Sequence, residues 1–274
     1  MASRTRSQVF IVVVAVVVTV IVLLPIYIMV LSSFKPLSRI FDLVLLPSPA
    51  SLTLDNYREV LVTQSFFRYI GNSLFIAVTV TVVALFFHAT AGYALARLRF
   101  PGRQIVFVWI LSTLMVPFAV IMIPLFIIVR TLGLTNSLWG IILPAIPHAY
   151  GIFLFRQFYM GIPRELEESA MMDGLSHYGT FFRIIAPLST AIAVTLAVAF
   201  FVANWNNYLW PLIVTQKREL WVIQIAIANF RGERMIAWNL VLAASCITII
   251  PTVVIFLVFQ RYLVEGIKMS GIKM

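Results

Sequence analysis

An all-α integral membrane protein with six transmembrane helices is the fold class this sequence predicts, and three observations predict it. Of 274 residues, 62% are apolar and 11% charged, with a mean hydropathy of +1.02; an ordinary soluble domain is about 45–50% apolar and about 25% charged. The apolar residues gather in six long stretches, most of them able to span a hydrocarbon layer of roughly 30 Å. Each stretch is too long and too uniformly apolar for a barrel strand, which alternates every second residue over about ten residues.

The first stretch, residues 9–31, is broken only by Thr19 and Pro25 and follows Arg4 and Arg6. It exceeds the usual apolar run of a cleaved leader and lacks a small-x-small site before Ser32, so it reads as a retained signal anchor. A long loop follows. Within it, residues 54–70 read as a helix behind the proline-rich run 46–50, with Ser51, Thr53 or Asp55 as its cap. Phe66, Phe67 and Tyr69 suit a lipid–water interface. The second span is placed at 73–95 and the third at 105–129, the latter interrupted by Pro117 and Pro124. The fourth, 138–155, is short and carries Pro144, Pro147 and His148; these prolines read as kinks. The fifth and sixth run over 188–214 and 240–263. No repeat or linker divides the chain, so 1–274 reads as one transmembrane domain.

The formal charge of +10 comes from 20 Lys and Arg dispersed over short loops rather than gathered on one face. That pattern fits headgroup anchoring and orientation, and not nucleic-acid binding. Arg4 and Arg6, then Arg97, Arg99 and Arg103, then Arg261, Lys268 and Lys273 mark one side of the membrane, and those three segments hold a single acid, Glu265. The turn 130–137 on the other side has a single basic residue, although the loops 32–72 and 215–239 carry Lys and Arg too. The bias puts both termini in the cytoplasm. Cys246 stands alone, so no intrachain disulfide forms, and it reads as a small buried side chain.

One polar interruption, residues 161–187, separates the fourth span from the fifth. Pro163 suits a first helical turn, and Glu165, Glu167 and Glu168 oppose the positive end of the helix dipole. Ser169, Ala170 and Gly174 are small enough for another surface to approach; Leu166, Met171 and Met172 offer apolar knobs. A second short helix, about 176–185, ends at Pro187. On residue types alone, a lever held by a partner and a plain interfacial connection both stand.

The run Glu168-Ser169-Ala170, Gly174, and Ile184-Ile185-Ala186-Pro187 resembles the Glu-Ala-Ala loop of the inner-membrane permeases of binding-protein-dependent ABC importers. It departs by serine for the first alanine and by Ala186 for the usual leucine, neither adding bulk or charge. The resemblance to the carbohydrate-uptake branch, the maltose-type permeases and their smaller subunit, extends to Asn72-Ser73-Leu74 and to GYALARLRFPG at 92–102. It continues through Leu132-Gly133-Leu134, WNNYLWPL at 205–212 and VEGIK at 264–268.

The resemblance implies a type I ABC importer permease fold with cytoplasmic coupling helices, in a multi-pass subunit of a bacterial or archaeal cytoplasmic membrane. It implies no catalytic residue, no cofactor and no metal in this chain: ATP and Mg²⁺ belong to two copies of a partner ATPase, and this sequence has no phosphate-binding Gly-x-x-x-x-Gly-Lys loop. Further implied partners are a second, paralogous permease subunit, an extracytoplasmic solute-binding protein, the bilayer and a small sugar. Residues implied to couple to the ATPase are Glu165, Glu168, Ser169, Ala170, Asp173, Gly174 and Pro187. Trp221, Gln224, Asn229, Phe230 and Arg231, in the loop before the last span, are candidate contacts for the binding protein.

Within the bilayer, Asn204, Trp205, Asn206, Asn207 and Tyr208 form a polar, aromatic cluster in the fifth span. Asparagine and indole suit a sugar's hydroxyls and C–H faces; the same residues also suit contacts between helices. An ion-coupled secondary carrier predicts buried carboxylates, and no Asp or Glu lies in any of the six stretches. A non-transporting scaffold has no need of the Glu/Gly loop. A related non-sugar solute such as glycerol phosphate is the runner-up cargo.

Overall fold

The protein is described here by a computed structural model covering residues 2–42, 51–232 and 236–271, with side chains described between 8 and 262. The proline-rich run 46–50 and the side chains of 264–268 lie outside that description. Among the described residues the chain is helical, apart from an antiparallel bridge between Arg231 and Ile236.

The helices are α1 (Ala2–Ser33), α2 (Asp55–Arg58), α3 (Phe66–Arg97), α4 (Arg103–Ser112), α5 (Phe118–Thr131), α6 (Leu138–Ala145) and α7 (Ala149–Met160). They continue with α8 (Glu165–Met172), α9 (His177–Thr180), α10 (Ala186–Leu188), α11 (Thr190–Trp205), α12 (Leu209–Val214), α13 (Ile223–Asn229) and α14 (Trp238–Gly271). Among the described residues, four helical stretches are long and apolar enough to cross a membrane: Gln8–Ser33, Phe66–Arg97, Leu138–Met160 and Trp238–Tyr262. Two bent pairs bring the number to six if each is one span. None of the apolar window of α1 is buried by the rest of the chain, so lipid or another protein must cover it.

The breaks go beyond the interruptions and kinks read in the sequence, and proline chemistry explains most of them. The stretch 105–129 is two helices bent by 105°. Val116 precedes Pro117 and is extended, with φ −89 and ψ 114, because the proline ring disfavours the helical region for the residue before it. The stretch 138–155 breaks at Ile146–His148 around Pro147. His88 of α3 fills this gap: its Nε2 lies 2.9 Å from Ile146 O and accepts from the His148 amide at 3.1 Å. The stretch 188–214 ends one helix at Trp205. There the Asn204 and Asn206 side chains donate back to Phe200 O and Val202 O, at 2.8 and 2.9 Å, in competition with the backbone ladder. Pro211 cannot donate to Asn207 and falls in the first turn of α12. Pro25, Pro124, Pro144 and Pro251, by contrast, sit inside helices.

In the long loop, the expected helix over 54–70 is two pieces. α2 passes into a π-turn, Glu59–Thr63, and the chain reverses at Ser65 (φ 54) before α3 begins at Phe66. Of the three expected caps, Thr53 is the one seen beside the Asp55 amide, at 3.1 Å. Phe66 and Tyr69 are buried rather than interfacial, whereas Phe67 is exposed.

The chain divides into two compact units, residues 1–67 with 226–250, and residues 68–225 with 251–274. In the first, buried Asn56 donates to Ser33 O and Lys35 O at 2.8 and 2.9 Å, and its Oδ1 accepts from Asn239 at 2.8 Å. Phe66 and Phe230 stack with centroids 6.4 Å apart. Among the described residues of the second unit are two apolar clusters. One joins Ile76 and Val80 of α3 to Ile141, Ile142 and Trp210; the other joins Tyr93 and Ala96 to Phe155, Tyr159, Phe181, Ile185 and Phe200.

Candidate functional site

The polar interruption folds as an acidic helix that is fixed on one face and bare on the other. Glu165, Glu167 and Glu168 occupy the first turn of α8, beside its positive dipole end. Its end is a glycine-terminated Schellman motif: the Gly174 amide donates to Met171 O and the Leu175 amide to Ala170 O, each at 3.0 Å. Gly174 has φ +85, a left-handed conformation that a residue with a Cβ resists. The sequence offered the smallness of Gly174 as its reason; the backbone offers handedness.

Two residues of α8 turn inward, Glu167 and Ala170, both nearly fully buried. Arg97, the last residue of α3, places its Nε 2.7 Å from Glu167 Oε1, and both side chains are more than nine-tenths buried. Tyr93, one turn earlier, donates to Glu167 Oε2 at 3.1 Å. Arg97 also donates to Ile162 O in the connection ahead of α8. Removing one member of such a buried pair commonly costs about 3–5 kcal/mol, because the survivor is left charged and unpaired.

The coupling residues read from the sequence fall mostly on the other face. Glu165, Glu168, Ser169, Asp173 and Gly174 are exposed, as is Met172 at 89%. Ala170 faces into its own chain. Pro187 does not end the second helix as expected: α9 runs into a π-turn, Phe181–Ile185, and then into α10, which contains Pro187. The proline is tolerated because it opens a new α-turn, where its missing amide hydrogen costs nothing. The bend comes afterwards, at 75° between Leu188 and Thr190. Beside α8 opens a cleft of about 590 Å³ lined by Arg99, Phe100, Arg164, Glu168, Met171 and His177, with Arg97, Leu98 and Glu167 at its wall.

The fifth-span cluster divides in the same way. Asn204 and Asn207 line a cavity of about 490 Å³, together with Thr113, Phe118, His148, Phe200 and Trp210 among others. Trp205 is buried and stacks on Phe201 at 5.7 Å. Asn206 accepts from Gln224 at 3.1 Å, and Tyr208 is exposed.

The loop before α14 carries the remaining candidates. Asn229 and Arg231 are exposed, Gln224 and Trp221 half-buried, and Phe230 buried. Asn72 of α3 donates to Glu219 O and Trp221 O, each at 2.9 Å, and Ser73 accepts from the Ile223 amide at 2.9 Å. Residues 88–269 match the profile of the binding-protein-dependent transport system inner membrane component. The chain belongs to that family.

A curated member similar to it is the arabinooligosaccharides transport system permease protein AraQ of Bacillus subtilis, 37% identical over 254 residues, covering 92% of this chain and 90% of that one. The sn-glycerol-3-phosphate transport system permease protein UgpE of Pectobacterium atrosepticum is 32% identical over 254 residues, 90% of each chain. Among solved structures, a chain of a bacterial ABC transporter involved in the import of the acidic polysaccharide alginate superposes with a TM-score of 0.84, over 96% of this chain and 98% of that one, at 23% identity. That likeness gives the fold.

The residues missed in the sequence are Glu167, Arg97 and Tyr93 as a joined set. Three glutamates stand in one helical turn, and nothing local says which turns inward. The signal available is the i, i+3 spacing of Glu167 with Ala170, which puts a small residue on the same face.

Proposed function

We propose that the chain is the permease subunit of an ATP-driven, binding-protein-dependent sugar importer, forming half of the translocation pathway and passing ATPase closure on through α8. The carrying observation is α8 itself. It is anchored from within, while Glu165 and Glu168 have no ion-pair partner among the described residues. Acidic groups beside exposed Met172 suit a basic, apolar-floored cleft on another subunit. In this reading each bent pair is one span, giving six, and both termini are cytoplasmic. Two ATPases, a paralogous permease and a binding protein complete the assembly, the last meeting Gln224, Asn229 and Arg231.

The cavity supports a neutral polyhydroxylated cargo. Asn204 and Asn207 supply donors and acceptors and Trp210 an aromatic wall, while no Lys or Arg is among its lining residues. The name of the arabinooligosaccharide relative points the same way. The glycerol-phosphate relative favours a second reading, a phosphorylated three-carbon cargo; its dianion would need a cation from the other half of the pathway.

The test is tagged purification in mild detergent, mass spectrometry of the companions, and ATPase assay of Glu168→Lys and Gly174→Trp. The reading expects a nucleotide-binding subunit and a second permease to accompany the wild type, and both variants to lose coupled hydrolysis while the two permeases stay together. A subunit that purifies alone, with both substitutions silent, would sink it.

A further inference from the structure

The importer reading says that α8 receives a push; it does not say what inside this chain receives it from α8. We infer that α3 is the transmission rod, with Arg97 its joint to α8 and Asn72–Ser73 its joint to the outer loop. This rests on the proposed function and adds named positioning residues to it.

Three observations carry it. First, α8 has eight residues, too few for a stable isolated helix, so its attitude is set by what grips its inner face. That grip is Glu167, whose two carboxylate oxygens are taken by two residues of one helix, Arg97 and Tyr93. Two-point fixation prevents the carboxylate from swivelling, and the same guanidinium also binds Ile162 O, just ahead of α8. A displacement of α8 therefore moves the end of α3.

Second, α3 is continuous over 32 residues, about 48 Å at about 1.5 Å per residue. Proline interrupts or lies within α4–α5, α6 and α12, but α3 contains none. Third, its far end is tied just as specifically. Asn72 donates to two carbonyls of the 219–221 turn, and Ser73 takes the first amide of α13. That segment carries Gln224, one of the proposed binding-protein contacts, and Trp221, a candidate read from the sequence. One unbroken helix thus joins the element facing the ATPase to the loop facing the binding protein.

The experiment uses the complete importer reconstituted in liposomes, with uptake and binding-protein-stimulated ATP hydrolysis read from the same preparation. Glu167→Gln is expected to leave the subunits assembled and hydrolysing, while uptake per ATP falls by about tenfold, within the span of ordinary coupling changes. Exchanging the pair, Arg97→Glu with Glu167→Arg, is expected to restore a measurable part of it. Asn72→Ala is expected to lower the same ratio, and the double variant Glu167→Gln/Asn72→Ala to be no worse than the worse single, since both cut one path.

Wild-type uptake per ATP in Glu167→Gln, or additive losses in the double variant, overturns the rod. Should Glu167→Gln prevent assembly, the apolar pair Arg97→Met/Glu167→Leu decides, because well-packed apolar replacements of a buried ion pair preserve folding. Assembly with lost coupling supports the inference; normal coupling, or failure to assemble, reduces the pair to a structural contact. A wild-type chain that binds no ATPase refutes the importer reading instead, and is seen before any variant is made.

Discussion

Gly151 packs directly against a polar side chain. A Cβ there would intrude on the imidazole Nδ1 of His88 and stand 2.9 Å from Phe200 Cζ. His88 cannot retreat easily, since its other nitrogen sits in the Ile146–His148 gap. Gly151→Ala is therefore expected to destabilise by about 1–3 kcal/mol, as overpacking does, seen as a lowered Tm of the detergent-solubilised protein; an unchanged Tm would show that the ring moves freely. His88 also marks the boundary of what was legible at this scale. It lies inside a span, and its partner is a backbone gap made by a proline 59 residues later in sequence, which no local pattern encodes. Glu168, Ser169 and Gly174 could be singled out because the motif is local. Glu167 could not, because its meaning comes from Arg97 on another helix.

Helix α8 is where the outward and inward residues of one element make different predictions. In a Cys246→Ser background, Met172→Cys is expected to react quickly with a bulky membrane-impermeant maleimide, and Ala170→Cys slowly, in keeping with 89% and 4% exposure. Adding the ATPase is expected to slow the reaction at 172; labelling at 172 that ignores the ATPase would place docking elsewhere. The long apolar helices were readable from their apolar runs, whereas their continuity was not, and α13 fell inside a stretch read as loop. Pro117 breaks its span and Pro124, seven residues on, does not. A proline removes one donor and crowds one carbonyl wherever it falls, and whether the chain turns there depends on what lies alongside. The second short helix was misjudged for the same reason: a π-turn ahead of Pro187 absorbs the misfit.

Among the described residues much apolar surface is uncovered, along α1, along α4 and α5, and over residues 249–258 of α14. Lipid and a second permease subunit share that surface in the proposed assembly. The orientation argued from Arg and Lys gives a direct expectation: a fluorescent-protein fusion after Met274 should glow and an alkaline phosphatase fusion there should be inactive. The opposite result would invert the molecule and move α8 away from any cytoplasmic ATPase. The order of synthesis adds a consequence of the Arg97–Glu167 contact. Glu167 follows Arg97 by 70 positions, so Arg97 leaves the ribosome well before its carboxylate exists. During that interval, in the proposed orientation, it is an uncompensated cation at the cytoplasmic end of a new span, where such charges fix topology. In the proposed assembly one guanidinium would thus serve twice in sequence, first as a stop for insertion and later, once neutralised, as a bearing in the finished machine.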